Sequence, residues 1–234
     1  KSSLGADLIY GQSYNFDPVF DHFYLSNSAI SVSNGLSENI NWVADQLLTY
    51  DINPSEAHHL TLTAGFSAQQ QKATYVSASG IGGTDNNLDQ VNNQPETTGG
   101  ANTSIGVGLL SYFGRAFYSY QDKYLLTATV RRDGSSRFGP GNKWGTFPSV
   151  ALGWRISEEQ FLQNSFVSNL KLRTSYGVTG NQNIGNFAYL ALASTGVTVF
   201  GNDAYVSNTP RTFANNNLKW ESAKQTSIGL DLGL

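Results

Sequence analysis

The sequence predicts an all-β fold: an antiparallel transmembrane β-barrel, present in part. Three observations carry this. Long segments alternate strictly between apolar and polar residues, charge is scarce while aromatics are abundant, and the connections alternate between short and long. The stretch from Tyr124 to Trp154 shows the first most clearly. Tyr124, Leu126, Ala128 and Val130 share one face of a strand, and Thr127, Thr129 and Arg131 share the other. Val150, Leu152 and Trp154 then repeat the apolar face in a second strand, opposite Ser149, Ala151, Gly153 and Arg155. Such alternation fits a soluble sandwich with its apolar face inward, or a membrane barrel with that face toward lipid.

Composition favours the barrel. Charged residues make up 13% of the 234 residues, against roughly 25% in soluble domains. Aromatics reach 12%, with 12 Tyr, 13 Phe and 4 Trp, and the net charge is −3. Nothing resembles a basic patch, so no nucleic-acid partner is expected. Cysteine is absent, which excludes disulfides, thiolate metal sites and a Cys nucleophile. No run of 18 apolar residues suits a transmembrane helix. Lys1 to Gly5 has no apolar core of a secretion signal, and Leu234 falls in mid-alternation, so the stretch reads as part of a longer protein.

Seven strands are expected, at about 39–52, 59–71, 104–120, 123–138, 145–156, 169–179 and 219–234. Their apolar sets are Trp42/Ala44/Leu48/Tyr50, Leu60/Leu62/Ala64/Phe66, Tyr112/Ala116/Tyr118/Tyr120, Tyr124/Leu126/Ala128/Val130, Val150/Leu152/Trp154, Leu170/Leu172/Tyr176/Val178 and Ile228/Leu230/Leu232/Leu234. The opposite faces carry Thr61, Thr63, Arg115, Thr127, Arg131, Lys171, Arg173, Ser227 and Asp231. A dry core rarely accepts that many cations.

Short turns are expected at 53–56 and 121–123, a medium one at 157–168, and long links at 72–103, 132–143 and 180–218. Short turns at one end and long loops at the other describe an outer-membrane barrel. Tyr50, Tyr118, Tyr120, Tyr124 and Trp154 gather at the short-turn end, where an aromatic girdle belongs. Ser157 ahead of Glu158 and Glu159 predicts an N-cap and one short helical turn. The Asn/Gly/Thr-rich stretch 82–103 has little apolar to bury and is expected to be mobile. Residues 1–38 are less periodic and read as hairpin pieces of another external loop.

Three ordered segments, TATVRRDGSSRFGPGNKWGTFPSVALGWRISEEQF, NLKLRTSYGVTGNQNIGNFAY and NNNLKWESAKQTSIGLDLGL, resemble the barrel of the SusC/RagA family of TonB-linked outer-membrane transporters. The resemblance is strongest from Gly114 to Gly233. It implies a fragment of a large barrel plugged by an N-terminal domain, in the cell outer membrane and in contact with its lipid. It also implies oligosaccharide or peptide cargo, a SusD-like surface lipoprotein as partner, and energy delivered by the TonB complex. Neither plug domain nor TonB box is recognisable in this stretch, so residues 1–234 read as barrel alone.

No catalytic, metal or cofactor residues are expected. His58 and His59 are adjacent in an extended segment, where side chains diverge, and His22 is distant. No GxSxG elbow or phosphate loop occurs. The candidate lumen-facing or plug-contacting residues are Arg115, Arg131, Arg132, Asp133, Arg155, Lys171 and Arg173. For Arg131 to Phe138 the favoured role is hairpin-end chemistry, with Asp-Gly supplying the turn and Asp133 neutralising the neighbouring arginines. Trp144, Phe147, Tyr189, Phe200, Tyr205 and Phe213 lie on or near long loops, where they could stack on sugars, pack on a lid or simply anchor loops. The rival classes are a secreted soluble β-sandwich binding carbohydrate, separable by detergent dependence, and a barrel hydrolase, which the histidine placement disfavours.

Overall fold

The computed structural model describes residues 1–162, 167–201 and 203–233. Leu234 and the 163–166 part of the expected medium turn lie outside the described residues. The chain is almost wholly extended. In order come β1 (Ser2–Asp17), β2 (Phe20–His22), β3 (Leu25–Asn27), β4 (Ser31–Ser55), β5 (His58–Ile81), β6 (Glu96–Tyr120), β7 (Tyr124–Ser135), β8 (Trp144–Arg155), β9 (Asn169–Asn181), β10 (Leu192–Phe200), β11 (Asp203–Thr212) and β12 (Glu221–Gly233). Eight of them form one sheet in the order β1-β4-β5-β6-β7-β8-β9-β12, with β1 and β12 at its two ends. The strips β2-β3 and β10-β11 are separate hairpins.

Two compact units are present: Lys1–Ser3 with Ala44–Ala68 and Gly108–Leu234, and Leu4–Val43 with Gln69–Val107. In the first, antiparallel registers line up the alternation across the wall. Tyr120 pairs with Tyr124, Tyr118 with Leu126, and Ala116 with Ala128. Leu126 pairs on with Leu152, Ala128 with Val150, and Tyr124 with Trp154. Trp154 meets Leu172, and Leu172 meets Leu230. One face is therefore apolar from strand to strand. A slip of one residue anywhere would turn a whole strand over.

The expected seven strands are all found in the eight-stranded sheet, with moved ends and one addition, β1, while β2-β3 and β10-β11 form hairpins within stretches expected to be loops. Residues 2–17 are a wall strand next to β4, not an external loop. Leu4, Ala6, Leu8 and Tyr10 do alternate, but Gly5, Gly11 and Ser13 on the other face dilute the signal. The 25-residue β4 and β6 and the 24-residue β5 are far longer than expected. A transmembrane strand needs only about 9–11 residues.

In the second unit, Ile30 and Val32 are completely buried. The loop after β5, expected to be mobile, is held by polar contacts instead of apolar burial. Gln94 Nε2 donates to Leu88 O at 2.6 Å, while Gln94 Oε1 accepts from Gly83 N at 3.1 Å. Asn86 makes two bonds to the Val19 backbone, and Tyr14 OH donates to Asp89 O. Satisfied amides can order a loop that has no core of its own.

The short turns lie together at one end of the first unit. Gln121 and Asp122 both have positive φ, as a type I′ hairpin turn requires. Gln121 N bonds to Ala57 O in the neighbouring turn, and Ser119 Oγ donates to Asp122. The expected helical turn is two 3-10 turns, Ile156–Glu158 and Gln160–Leu162. Ser157 lies inside the first and caps nothing; Arg155 holds the N-cap position without a side-chain bond. Glu159 is drawn instead to Tyr124 and Trp154.

Candidate functional site on the polar face of the wall

Register assigns the candidate residues to faces. Arg115 faces Thr129 across the ladder, and Arg131 faces Phe113 on one side and Phe147 on the other. Arg155 faces Lys171, and Arg173 lies between Gly153 and Gly229. Arg115, Arg131, Asp133, Arg155, Lys171 and Arg173 thus share the polar face. Arg132 does not: adjacent strand residues point oppositely. Its guanidinium lies 5.4 Å over the Trp144 ring, which stacks on Tyr112 of the apolar face.

Arg131 is fixed from two sides. Its Nε reaches both carboxylate oxygens of buried Asp133, at 2.8 and 2.9 Å, and its Nη2 donates to Ser111 Oγ at 3.0 Å. Arg173 Nη2 contacts Asp231 Oδ1 at 2.7 Å. Charge-assisted bonds of this length hold a guanidinium in one orientation.

Beyond Asp133 the segment to Lys143 forms a clasp. Ser135 N bonds to Lys143 O, Ser136 bonds to Gly108 through both its N and Oγ, and Arg137 N bonds to Ser135 Oγ. Arg137 Nη1 then reaches Gln182 O, Asn142 Nδ2 reaches Asn216 O, and Trp220 Nε1 donates to Lys143 O. Phe138, completely buried, stacks on Trp220 at 5.2 Å. Three loops are therefore tied together at the long-loop end. The hub residue Trp220 was not singled out in the sequence, although it follows Leu218-Lys219 as an isolated aromatic in a polar run.

Two of the expected loop aromatics belong to a strand. Trp144 begins β8 on the apolar face, and Phe147 sits in β8 on the polar one. Pairing of β8 with β9 stops at Ser149–Gly177. Past that point the Phe147 ring occupies the space a side chain on Gly180 would need, and packs edge-on against Trp220 at 5.3 Å. Tyr189 lies against Gly139 in the loop region, and Tyr205 packs on Phe200 across the exposed β10-β11 hairpin.

The apolar face carries two aromatic rows. At the short-turn end, His58 packs on Tyr120 (4.8 Å), Tyr120 on Tyr124 (6.2 Å), and Tyr124 on Trp154 (6.2 Å). Toward the other end, Phe66 packs on Tyr112 (5.2 Å) and Tyr112 on Trp144 (6.0 Å). The histidines are engaged individually: His58 Nδ1 with Tyr118 OH, and His59 Nδ1 with Asn53.

Glu159 braces the first row from the turn beyond it. It accepts from Tyr124 OH at 2.7 Å and from Trp154 Nε1 at 3.0 Å, with Lys123 Nζ 3.7 Å away. The Tyr124 hydrogen bond, then that of Trp154, hold its carboxyl below the usual range. A carboxyl more acidic in the folded state contributes stabilisation above its unfolded pKa and loses it as pH falls through the folded value. Acid titration of the folded full-length protein is therefore expected to change Trp154 fluorescence below the normal carboxylate range. Glu159→Gln should abolish that step; its persistence would show that another group drives it.

The family model described as TonB dependent receptor-like, beta-barrel, matches residues 2–234. The chain belongs to that family. TonB-dependent receptor P39 of Formosa agariphila is 34% identical over the whole of this chain and 22% of its own length. TonB-dependent receptor SusC of Bacteroides thetaiotaomicron is 51% identical over 131 residues, which are 53% of this chain and 13% of SusC. A solved structure of the RagAB peptide transporter superposes with a TM-score of 0.87 at 24% identity, covering 99% of this chain and 26% of that one. The wall is thus a section of a SusC/RagA-like TonB-dependent receptor barrel, and spans about a fifth of the length of P39. In such a barrel the apolar face is outward and the polar face inward.

Proposed function

We propose that these residues form part of the barrel of an outer-membrane TonB-dependent transporter that imports nutrient molecules, as glycan or peptide pieces, with a SusD-like surface lipoprotein as its partner. One observation carries the membrane reading: the two aromatic rows on a single apolar face. Trp144 is the first residue of β8 and Trp154 its last but one, ten positions apart. That is about 34 Å along a strand, or about 25 Å of depth at a tilt of about 40°. An outer-membrane barrel has an apolar band about 25 Å tall between two aromatic girdles.

The remaining parts of the proposal follow from it. The inward cations and hydroxyls line a wet lumen along which cargo passes. Outer-membrane transporter barrels of about 22 strands have a plugged lumen; the plug, like the TonB-contacting segment, is supplied by other parts of the full-length protein. Ligand is captured at the long-loop end, where Tyr189, Tyr205 and Phe200 offer rings to cargo or lid. The names of P39, SusC and the RagAB transporter support this reading.

The test is fractionation of the full-length gene product, followed by electrophoresis before and after boiling. Recovery in the outer membrane with a folded band that shifts on boiling is the expected result. A detergent-independent soluble product without a shift would replace the transporter by a secreted β-sandwich binding module.

A further inference from the structure

Arg132 faces outward, unlike Arg131 and Asp133 on either side of it. It pairs with Tyr112 across one ladder and Thr146 across the other, so it stands in the row of the long-loop girdle. Its strand has a wall strand on both flanks, β6 and β8, so its lateral neighbours all belong to this wall. Neither pairing partner is an acid. Asp133 is on the inward face, where Arg131 Nε holds it at 2.8 and 2.9 Å. Among the described residues no carboxylate comes within ion-pair distance of Arg132, and its side chain makes no hydrogen bond.

The guanidinium is nonetheless held in place. The Trp144 indole lies across Gly134, with Cδ2, Cε2 and Cε3 each 2.9 Å from where a side chain on that glycine would begin. Tyr112 stacks on the same indole at 6.0 Å, and Arg132 Cζ lies 5.4 Å from the ring centroid. The negative face of an indole attracts a guanidinium. Seated there, the planar fork keeps its N–H edges for a bidentate acceptor. Trp144 pairs with Gly134, two residues nearer the long loops than Arg132. The apolar stem therefore stays on the wall and carries the charge away from the bilayer midplane, as a snorkelling side chain does.

We infer that Arg132, seated on Trp144, binds the phosphate of a lipid headgroup in the outer leaflet. The charge gives the ligand class: an exposed guanidinium without a protein acceptor pairs well with phosphate. The place selects the source. The seat is continuous with the apolar face that meets acyl chains, and girdle aromatics sit at headgroup level. A cargo anion would travel the lumen, on the other side of the sheet. The inference rests on the proposed outer-membrane barrel.

The experiment titrates lipid A, with its phosphates or after enzymatic dephosphorylation, into the full-length receptor in detergent. Native mass spectrometry counts the bound lipid, and a boiling shift checks the fold of each variant. The native protein is expected to hold lipid A about tenfold more tightly than its dephosphorylated form, and Arg132→Gln to lose that margin, the size of a charge-assisted hydrogen bond. Arg132→Lys keeps the charge without the fork and should fall between. Unchanged binding by Arg132→Gln overturns the inference, and so does equal binding of the two lipids by the native protein. Inorganic phosphate is added as a competitor; full displacement of the lipid would make the ligand a free anion and also overturns it. If Arg132→Gln does not fold, the two lipids on the native protein and Arg132→Lys decide. A native receptor without a boiling shift would instead sink the barrel reading itself.

Discussion

Val150→Arg is expected to cost the intact full-length barrel about 2–4 kcal/mol, the penalty for a cation near the bilayer midplane. Val150 is on the outward face, paired with Ala128 and Tyr176. It lies six residues from Trp144 and four from Trp154, near the middle of the apolar band. Its neighbour Ser149 points inward, where a new arginine meets water, so Ser149→Arg should cost no more than about 1 kcal/mol. Denaturant unfolding of both variants in lipid vesicles checks this. Equal costs would overturn the assignment of faces. Position along the strand matters as much as face. Leu172 reads from sequence as a mid-strand lipid-facing residue, but its register partner is Trp154 of the girdle. Leu172→Arg should therefore cost only about 0–1 kcal/mol, as near an interface.

Phe138→Ala is expected to open the clasp. Phe138 has no exposed surface and stacks on Trp220, whose indole N–H is spent on Lys143 O. Truncating a buried phenylalanine costs about 3–5 kcal/mol, from lost transfer energy plus the cavity left behind. The loss falls on three loops, because the ring sits where 135–143, 182–190 and 213–220 meet. Hydrogen exchange in those segments should accelerate by about a hundredfold or more, the equivalent of 3 kcal/mol. Exchange in Tyr124–Val130 should not change, since that part of the ladder is outside the clasp. Unaltered exchange in the loops would show that hydrogen bonds alone hold them. On this account the Arg131–Phe138 motif acts first as loop architecture: Asp133 orients Arg131, and Phe138 anchors the return.

Much of the fold was legible because alternation is local. Each wall strand from Tyr112 onward declared its two faces through residues two apart, and the polar short turns marked one end, whereas the β10-β11 hairpin lies in what reads as a long link. The placement of Arg115, Arg131, Lys171 and Arg173 on one polar face followed from the same parity. Arg132 belongs to the same motif but falls on the apolar face by that parity, paired with Tyr112 and lying over Trp144. The strand at 2–17 was missed because its glycines and serine weakened a real alternation.

What the sequence by itself determined is the periodicity, the greasy and wet faces, and the turn polarity. These depend on bonded geometry and on which solvent each side chain prefers. Only the tertiary structure decided that β12 pairs with β9 across the β10-β11 hairpin, that Asp231 joins Arg173 and leaves Lys171 against Arg155, and that Trp220 closes on Phe138. Those outcomes depend on register and packing between residues far apart in the chain. Two-residue alternation shows which way a side chain points, but not what stands opposite it.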